Sequence, residues 1–392
     1  MKRLVVRAAA GLGALALLCF AAQAQEKVKI GIVGHFSGPF TASGKQFREG
    51  IEAFTALNGT KFGGREIELV YRDVGGANPA AARQAIQELI VREKVAMLGG
   101  FYLTPDALSA IPIVNETKTP MVVFNAAGRG ILSQSDYVVR VGGTIYQTSS
   151  SAAEWAFKNG AKRAYIAVSD YTPGHDAQEA FRERFTKLGG TVVGEDRMVL
   201  NTVDYAPFVE RLAGAKPDVV FAFLPNGAPA ASYLRGLTAR NLMKDGLKFI
   251  GLGVPDDPDI PALGDLALGL YSSLYYTSTL DNPENRVFVA EIRKKLGSDA
   301  PTVFTQAQAY DGMTLIRRML EAQAGKPLDG AAAINAVKGF SWSGPQGPMT
   351  IDPATRQAIQ NIYIRRAERV DNKVINVVVD TFKDVRPLPS GN

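Results

Sequence analysis

Cysteine is almost missing from this chain of 392 residues. The single one, Cys19, lies in an N-terminal stretch that reads as a leader, which excludes disulfides and thiolate zinc sites from the remainder. Histidine is nearly as scarce. His35 and His175 follow predicted strand ends, have no H-E-x-x-H spacing, and read as packed or solvent-facing side chains. No G-x-G-x-x-G follows the first strand and no G-x-S-x-G elbow is present. Gly38…Gly44-Lys45 spaces its glycines too widely for a phosphate loop and has Gln46 where a magnesium-binding hydroxyl belongs. Asp256-Asp257, flanked by Pro255 and Pro258, reads as a polar loop rather than an acid–base pair. Basic runs are also lacking: without Lys2, Arg3 and Arg7 of the leader the formal charge falls from +6 to +3, so no nucleic-acid partner is expected. The reading is of a protein with no cofactor, no metal and no catalytic motif.

What is present begins with that leader. A basic start, an apolar run from Ala8 to Ala22 and the small-residue site Ala22-Gln23-Ala24 make residues 1–24 a cleaved secretory signal, which predicts a soluble secreted protein. From Val28 onward, strand and helix patterns alternate, which implies parallel sheets covered by helices. The junction around which the rest is organised is Gly99-Gly100-Phe101-Tyr102-Leu103-Thr104-Pro105-Asp106. It ends the apolar run Val95–Leu98 and is predicted to open a helix with Thr104 as N-cap and Pro105 at the first helical position. A helix tip at the carboxyl end of a strand offers free N–H groups and partial positive charge, which suits a small anion. Further junctions of this kind recur at Ser37-Gly38-Pro39, Asn125–Gly128 and Asp170–Gly174. A first α/β series ends near residue 141 and a second near Gly253; long helices follow (about 283–296 and 303–324), then two antiparallel strands (358–364 and 374–379).

Val28-Lys29-Ile30-Gly31-Ile32 with Ser37-Gly38-Pro39, the helix from Pro79, Gly99-Gly100 with its helix, Pro120-Met121 and Tyr310-Asp311-Gly312 stand in an order that resembles one family. It is the periplasmic solute-binding proteins of ABC importers, in the branched-chain amino acid receptor group. The resemblance implies an α/β, type I periplasmic-binding fold: two Rossmann-like lobes of parallel sheet flanked by helices, joined by a three-crossing hinge. The lobes would comprise residues 25–141 with 274–349 and residues 142–273 with 350–392. It also implies a monomer that closes on its ligand and serves an inner-membrane permease and its ATPase. In the amino-acid receptors two hydroxyls hold the α-carboxylate. The first maps to Thr104 and the second to Ala127, where only the amides of Asn125 and Ala127 remain to serve. The acid that holds the α-ammonium maps to about Gly253 and is missing, unless Asp256 or Asp257 reaches in. An aromatic acid is therefore expected, gripped by Phe40, Phe101, Tyr102, Tyr146 and Tyr171, with Tyr275 or Tyr276 as further candidates and Ser43 and Asn226 lining the cleft. The alternatives are an amino acid or amide receptor, an extracytoplasmic sensor module, or an enzyme.

Overall fold

The computed structural model describes residues 27–388, apart from 201 and 226. The expected leader lies outside the described residues. The first part of the chain gives β1 (Val28–Gly34), α1 (Thr41–Asn58), β2 (Lys61–Phe62), β3 (Arg65–Asp73), α2 (Pro79–Gln87), β4 (Met97–Gly100), α3 (Thr104–Thr117), β5 (Met121–Val123) and β6 (Val138–Arg140). Its six strands form one sheet in the order β2-β3-β1-β4-β5-β6, parallel except for β2. Then come α4 (Ile145–Lys158), β7 (Arg163–Ser169), α5 (Thr172–Lys187), β8 (Thr191–Met198), α6 (Ala206–Ala215), β9 (Val219–Phe223), α7 (Ala228–Ala239), β10 (Lys248–Leu252), α8 (Ile260–Leu263) and β11 (Tyr271–Leu274). The last part holds α9 (Pro283–Leu296), α10 (Phe304–Glu321), α11 (Gly330–Val337), β12 (Ser341–Gly344), β13 (Gly347–Ile351), β14 (Ala358–Val370) and β15 (Lys373–Val385). The second sheet runs β12-β13-β14-β11-β10-β9-β7-β8, with β15 on β14; β7 to β11 are parallel and the rest antiparallel.

Each sheet is buried on both faces, as continuous apolar strands require. On the first sheet, Phe47 and Ile51 of α1 pack with Met313 and Ile316 of α10, while Ala82 and Ile86 of α2 pack with Ala110 and Val114 of α3 on the other face. On the second, Phe181 and Phe185 of α5 cover one face and Val209, Leu212 and Leu234 of α6 and α7 the other. Met349 and Ile351 of β13 belong to the first sheet's core although β13 hydrogen-bonds to the second sheet. The chain therefore passes between the lobes after β6, after β11 and between β13 and β14.

Several strands lie outside the sequence pattern, β2, β6, β11 and β12 among them. β6 is only three residues long, and β11 carries Ser272 and Ser273, polar residues that a buried strand rarely shows. Both serines are fully buried and both are satisfied, Ser273 donating to the Thr148 carbonyl at 2.8 Å and Ser272 accepting from Arg365 at 3.1 Å. The C-terminal hairpin is longer than its apolar stretches, 13 residues in each strand. Its turn residues, Asp371 and Asn372, have φ of 47° and 62°, the left-handed pair that a tight hairpin prefers. The predicted cap of α3 is also corrected. Leu103 is the N-cap, with no side-chain bond, and Thr104 is the first helical residue.

Candidate functional site

In an open parallel sheet, ligands bind beyond the carboxyl ends of the strands where strand order reverses. In the first sheet the chain runs from β1 to β3 on one side and returns to β4 on the other, so the reversal lies at β1 and β4, which lead into α1 and α3. In the second sheet it lies at β7 and β9, which lead into α5 and α7. Among the described residues none of these four helices has a side-chain cap: the N-cap residues are Phe40, Leu103, Tyr171 and Gly227. By contrast α2, α4, α9 and α11 are capped by Asn78, Thr144, Asn282 and Asp329. The helix tips at the two crevices thus keep donors and partial positive charge that the capped helices spend internally, and α6, α8 and α10 likewise have no N-cap side-chain bond.

The backbone at β4 is shaped for this place. Gly100 has φ of 109°, and a Cβ there would lie 2.1 Å from the Val33 carbonyl oxygen. Phe101 is also left-handed at 68°, a cost tolerated where a site needs it. Its N–H donates to Val33 at 2.9 Å and its carbonyl accepts from Ala126 at 3.0 Å and Asn125 at 3.4 Å, tying β1, β4 and the loop after β5 together. The Thr104 hydroxyl accepts from the Gly128 N–H at 3.1 Å, which leaves its own proton to donate. Among the described residues the Ala127 N–H has no backbone partner.

An aromatic wall adjoins these donors. Tyr102 lies with its ring centre 6.2 Å from Phe40 and 6.3 Å from Phe47, and the Asn125 side chain donates to the Tyr102 carbonyl at 2.9 Å. Tyr171, from the other lobe, stacks on Phe223 at 6.0 Å and 14°. It is 36% exposed, yet surrounding protein, and next the Tyr102 phenol, push its own phenol up to about 12. Tyr102 is raised by burial and then by the carboxylate of Asp256. Groups from both lobes therefore face one another here.

The structure does not bring all the expected residues together. The ring of Phe101 is 1% exposed and belongs to the core beside α2 and α3, so it does not line the groove. The Asn125 N–H is turned to the Phe101 carbonyl, leaving Ala127 as the free amide of the expected pair. Ser43 is buried and its hydroxyl donates to the Phe40 carbonyl at 2.7 Å. Tyr146, at the start of α4, shares with Ala127 a cavity of about 510 Å³ that also meets Arg129, Arg140, Asp176 and Arg356. Tyr275 and Tyr276 are buried, their hydroxyls engaged by Gln308 and by Asn285 and Thr302. Asn226 lies outside the described residues.

Three buried groups near the site have partners that the sequence does not disclose. His35 and Asp106 form an ion pair at 3.0 Å, wholly buried, beneath Phe40 and Tyr102. Arg140 is buried behind the Ala126–Gly128 loop, and Asp256 is paired with Arg365 at 3.0 Å. The sequence signal for two of them is a charge inside an apolar run, Val33-Gly34-His35 and Val138-Val139-Arg140-Val141. Burial lowers the His35 imidazole, but Asp106 and the Gly75 carbonyl outweigh it, so the ring sits above its ordinary 6.5. A group whose folded value is raised stabilises fully below 6.5, and that contribution is lost as pH rises through the folded value. Asp311, pushed up to about 7 by burial, contributes with the same sign. The melting temperature is expected to fall as pH rises from 6.5, and His35→Gln to show a shallower fall in a pH series of thermal melts.

Comparison with known proteins adds three findings. A family model described as "Periplasmic binding protein" matches residues 27–373. The chain is 43% identical to the Leu/Ile/Val-binding protein homolog 6 of Brucella melitensis over 376 residues, 95% of this chain and 96% of that protein. Among solved structures it is similar to an ABC-transporter solute-binding protein of Rhodopseudomonas palustris HaA2 in complex with p-hydroxybenzoic acid (42% identity, TM-score 0.86, 92% of this chain and 98% of that one). A second, from strain BisB5, holds 3,4-dihydroxybenzoic acid (37%, 0.84, 92% and 98%).

Proposed function

The chain belongs to the periplasmic binding protein family, whose members are substrate-binding proteins, and from that premise we propose that it is a receptor for a benzoate-class aromatic acid. The ligand lies between the lobes, which are residues 25–141 with 274–349 and 142–273 with 350–392, and their closure presents it to an inner-membrane permease and its ATPase. Export by the N-terminal leader places this in the periplasm, where the protein works as a monomer. The Thr104 hydroxyl and the Ala127 N–H hold the carboxylate, and Phe40, Tyr102 and Tyr171 enclose the ring.

The observation that carries this reading over an amino-acid receptor is the state of Asp256 and Asp257, the two acids that could stand in for the missing ammonium partner. The Arg365 guanidinium already neutralises Asp256, and Asp257 is spent on Thr277 at 3.1 Å, the Ser278 N–H at 3.0 Å and Asn376 at 2.7 Å. Neither is free for an α-ammonium, and an unpaired buried ammonium costs several kcal/mol. The likeness to two hydroxybenzoate-bound structures points the same way. The names of the Brucella relatives favour a branched-chain amino acid instead, and both readings meet in one experiment. In a thermal-shift series on the mature protein, 4-hydroxybenzoate at 100 times its Kd is expected to add about 2.7 kcal/mol of stability, while leucine adds none. A response to leucine alone reverses the assignment. Thr104→Ala is expected to weaken 4-hydroxybenzoate binding by roughly 1–3 kcal/mol in titration calorimetry.

A further inference from the structure

Arg140 closes β6 with its side chain 6% exposed. Among the described residues it has no carboxylate partner, and besides burial the Tyr275 phenol is the group that acts on its ionisation. One Nη1 donates to two carbonyls, Ala126 at 2.9 Å and Gly128 at 2.8 Å, and Nε donates to the Gln357 side chain. A buried cation without a counter-ion is expensive, and three neutral acceptors offset only part of that cost.

The two carbonyls reveal what the cation does. In a trans peptide the C=O and the following N–H point in opposite directions. With the Ala126 carbonyl turned to Arg140, the Ala127 N–H faces away from it, and the Gly128 N–H already reaches Thr104. Gly128 has no room for another residue, because a Cβ there would lie 2.7 Å from the Thr104 methyl. The guanidinium therefore holds the loop with the Gly128 N–H on α3 and the Ala127 N–H turned away from it, and places a positive charge one peptide behind them.

We propose that Arg140 is the positioning and charge-selecting residue of the anion site: it orients the Ala127 amide and makes the site prefer a carboxylate to a neutral group of the same shape. A bound anion supplies the counter-charge the protein withholds. Through Gln357, which also donates to the Gly142 carbonyl, the same side chain joins the first and third crossings between the lobes.

This rests on the aromatic-acid reading, and the test separates the two. Titration calorimetry is run on wild type, Arg140→Gln and Arg140→Lys with 4-hydroxybenzoate and the neutral 4-hydroxybenzamide. Wild type is expected to prefer the acid by about a hundredfold, and Arg140→Gln to lose about tenfold or more on the acid with little change on the amide. Arg140→Lys keeps the charge and is expected to keep the preference within about threefold. A merely structural role would weaken acid and amide by one factor, and that result overturns the proposal. Should Arg140→Gln fail to fold, the lysine variant decides: a lost preference there also overturns it. If wild type binds neither compound, the aromatic-acid reading fails instead, and the ratio is measured with whichever acid and amide pair does bind.

Discussion

Arg365→Met is expected to cost about 3–5 kcal/mol of folding stability, measured as a lowered midpoint in urea with an unchanged slope. Arg365 is fully buried on β14 and four of its five donors are placed: Nε to Ser272 at 3.1 Å, Nη1 to Asp256 at 3.0 Å and to the Tyr276 carbonyl at 2.9 Å, Nη2 to the Pro255 carbonyl at 3.4 Å. It ties β11, β14 and the loop after β10 into one unit beneath the groove. Burial pushes the Asp256 carboxyl above its ordinary range, and Arg365 offsets part of that rise. Without the guanidinium, Asp256 keeps its proton to a higher pH, and ionising it costs more. The loss in the variant should therefore grow as pH rises. The double change Arg365→Met with Asp256→Leu is expected to recover much of the stability, because it removes the stranded charge together with its partner. A single variant as stable as wild type would show that the pair is not what holds these strands.

Elements with one clear period are legible in the sequence alone. β1, β4, β7 and β9 are largely apolar runs, and of the stripe that the helical spacing predicts, Ala82, Ala85, Ile86, Leu89 and Ile90, the first four are buried and Ile90 is half-buried. Asn78, standing just before Pro79 as an N-cap residue should, caps α2, its side chain accepting from Ala81 at 3.1 Å. What the residues do not disclose depends on partners distant in the chain. β11 reads as polar because its serines are answered by Thr148 and Arg365, and Phe101 reads as a groove residue because a post-strand turn usually holds one. Only its left-handed φ of 68° sends the ring back into the core. The buried charges are the hardest to read. A lone His35 or Arg140 says nothing about Asp106, 71 positions beyond the histidine, or about carbonyls of a separate loop. The idea of helix tips with free donors comes from the residues, and the topology supplies the reason that α1, α3, α5 and α7 share it.

Phe47→Ala is expected to lower stability by about 3–5 kcal/mol and to weaken ligand binding as well, although its ring touches no ligand in this reading. Phe47 is fully buried on α1, edge-on to Phe124 at 5.4 Å and to Tyr102 at 6.3 Å. The Tyr102 ring has Phe47 behind it, Phe40 and His35 beside it, and its own carbonyl held by Asn125. Truncating Phe47 opens a cavity directly behind that ring, and a ring that can retreat no longer presses on a bound aromatic. Phe47→Leu refills most of the volume and should restore most of the stability and of the affinity. Urea melts and calorimetry on the same samples separate the two effects. If Phe47→Ala loses its stability but binds 4-hydroxybenzoate like wild type, Tyr102 is part of the core alone, and the wall of the groove must be sought on the side of Tyr171.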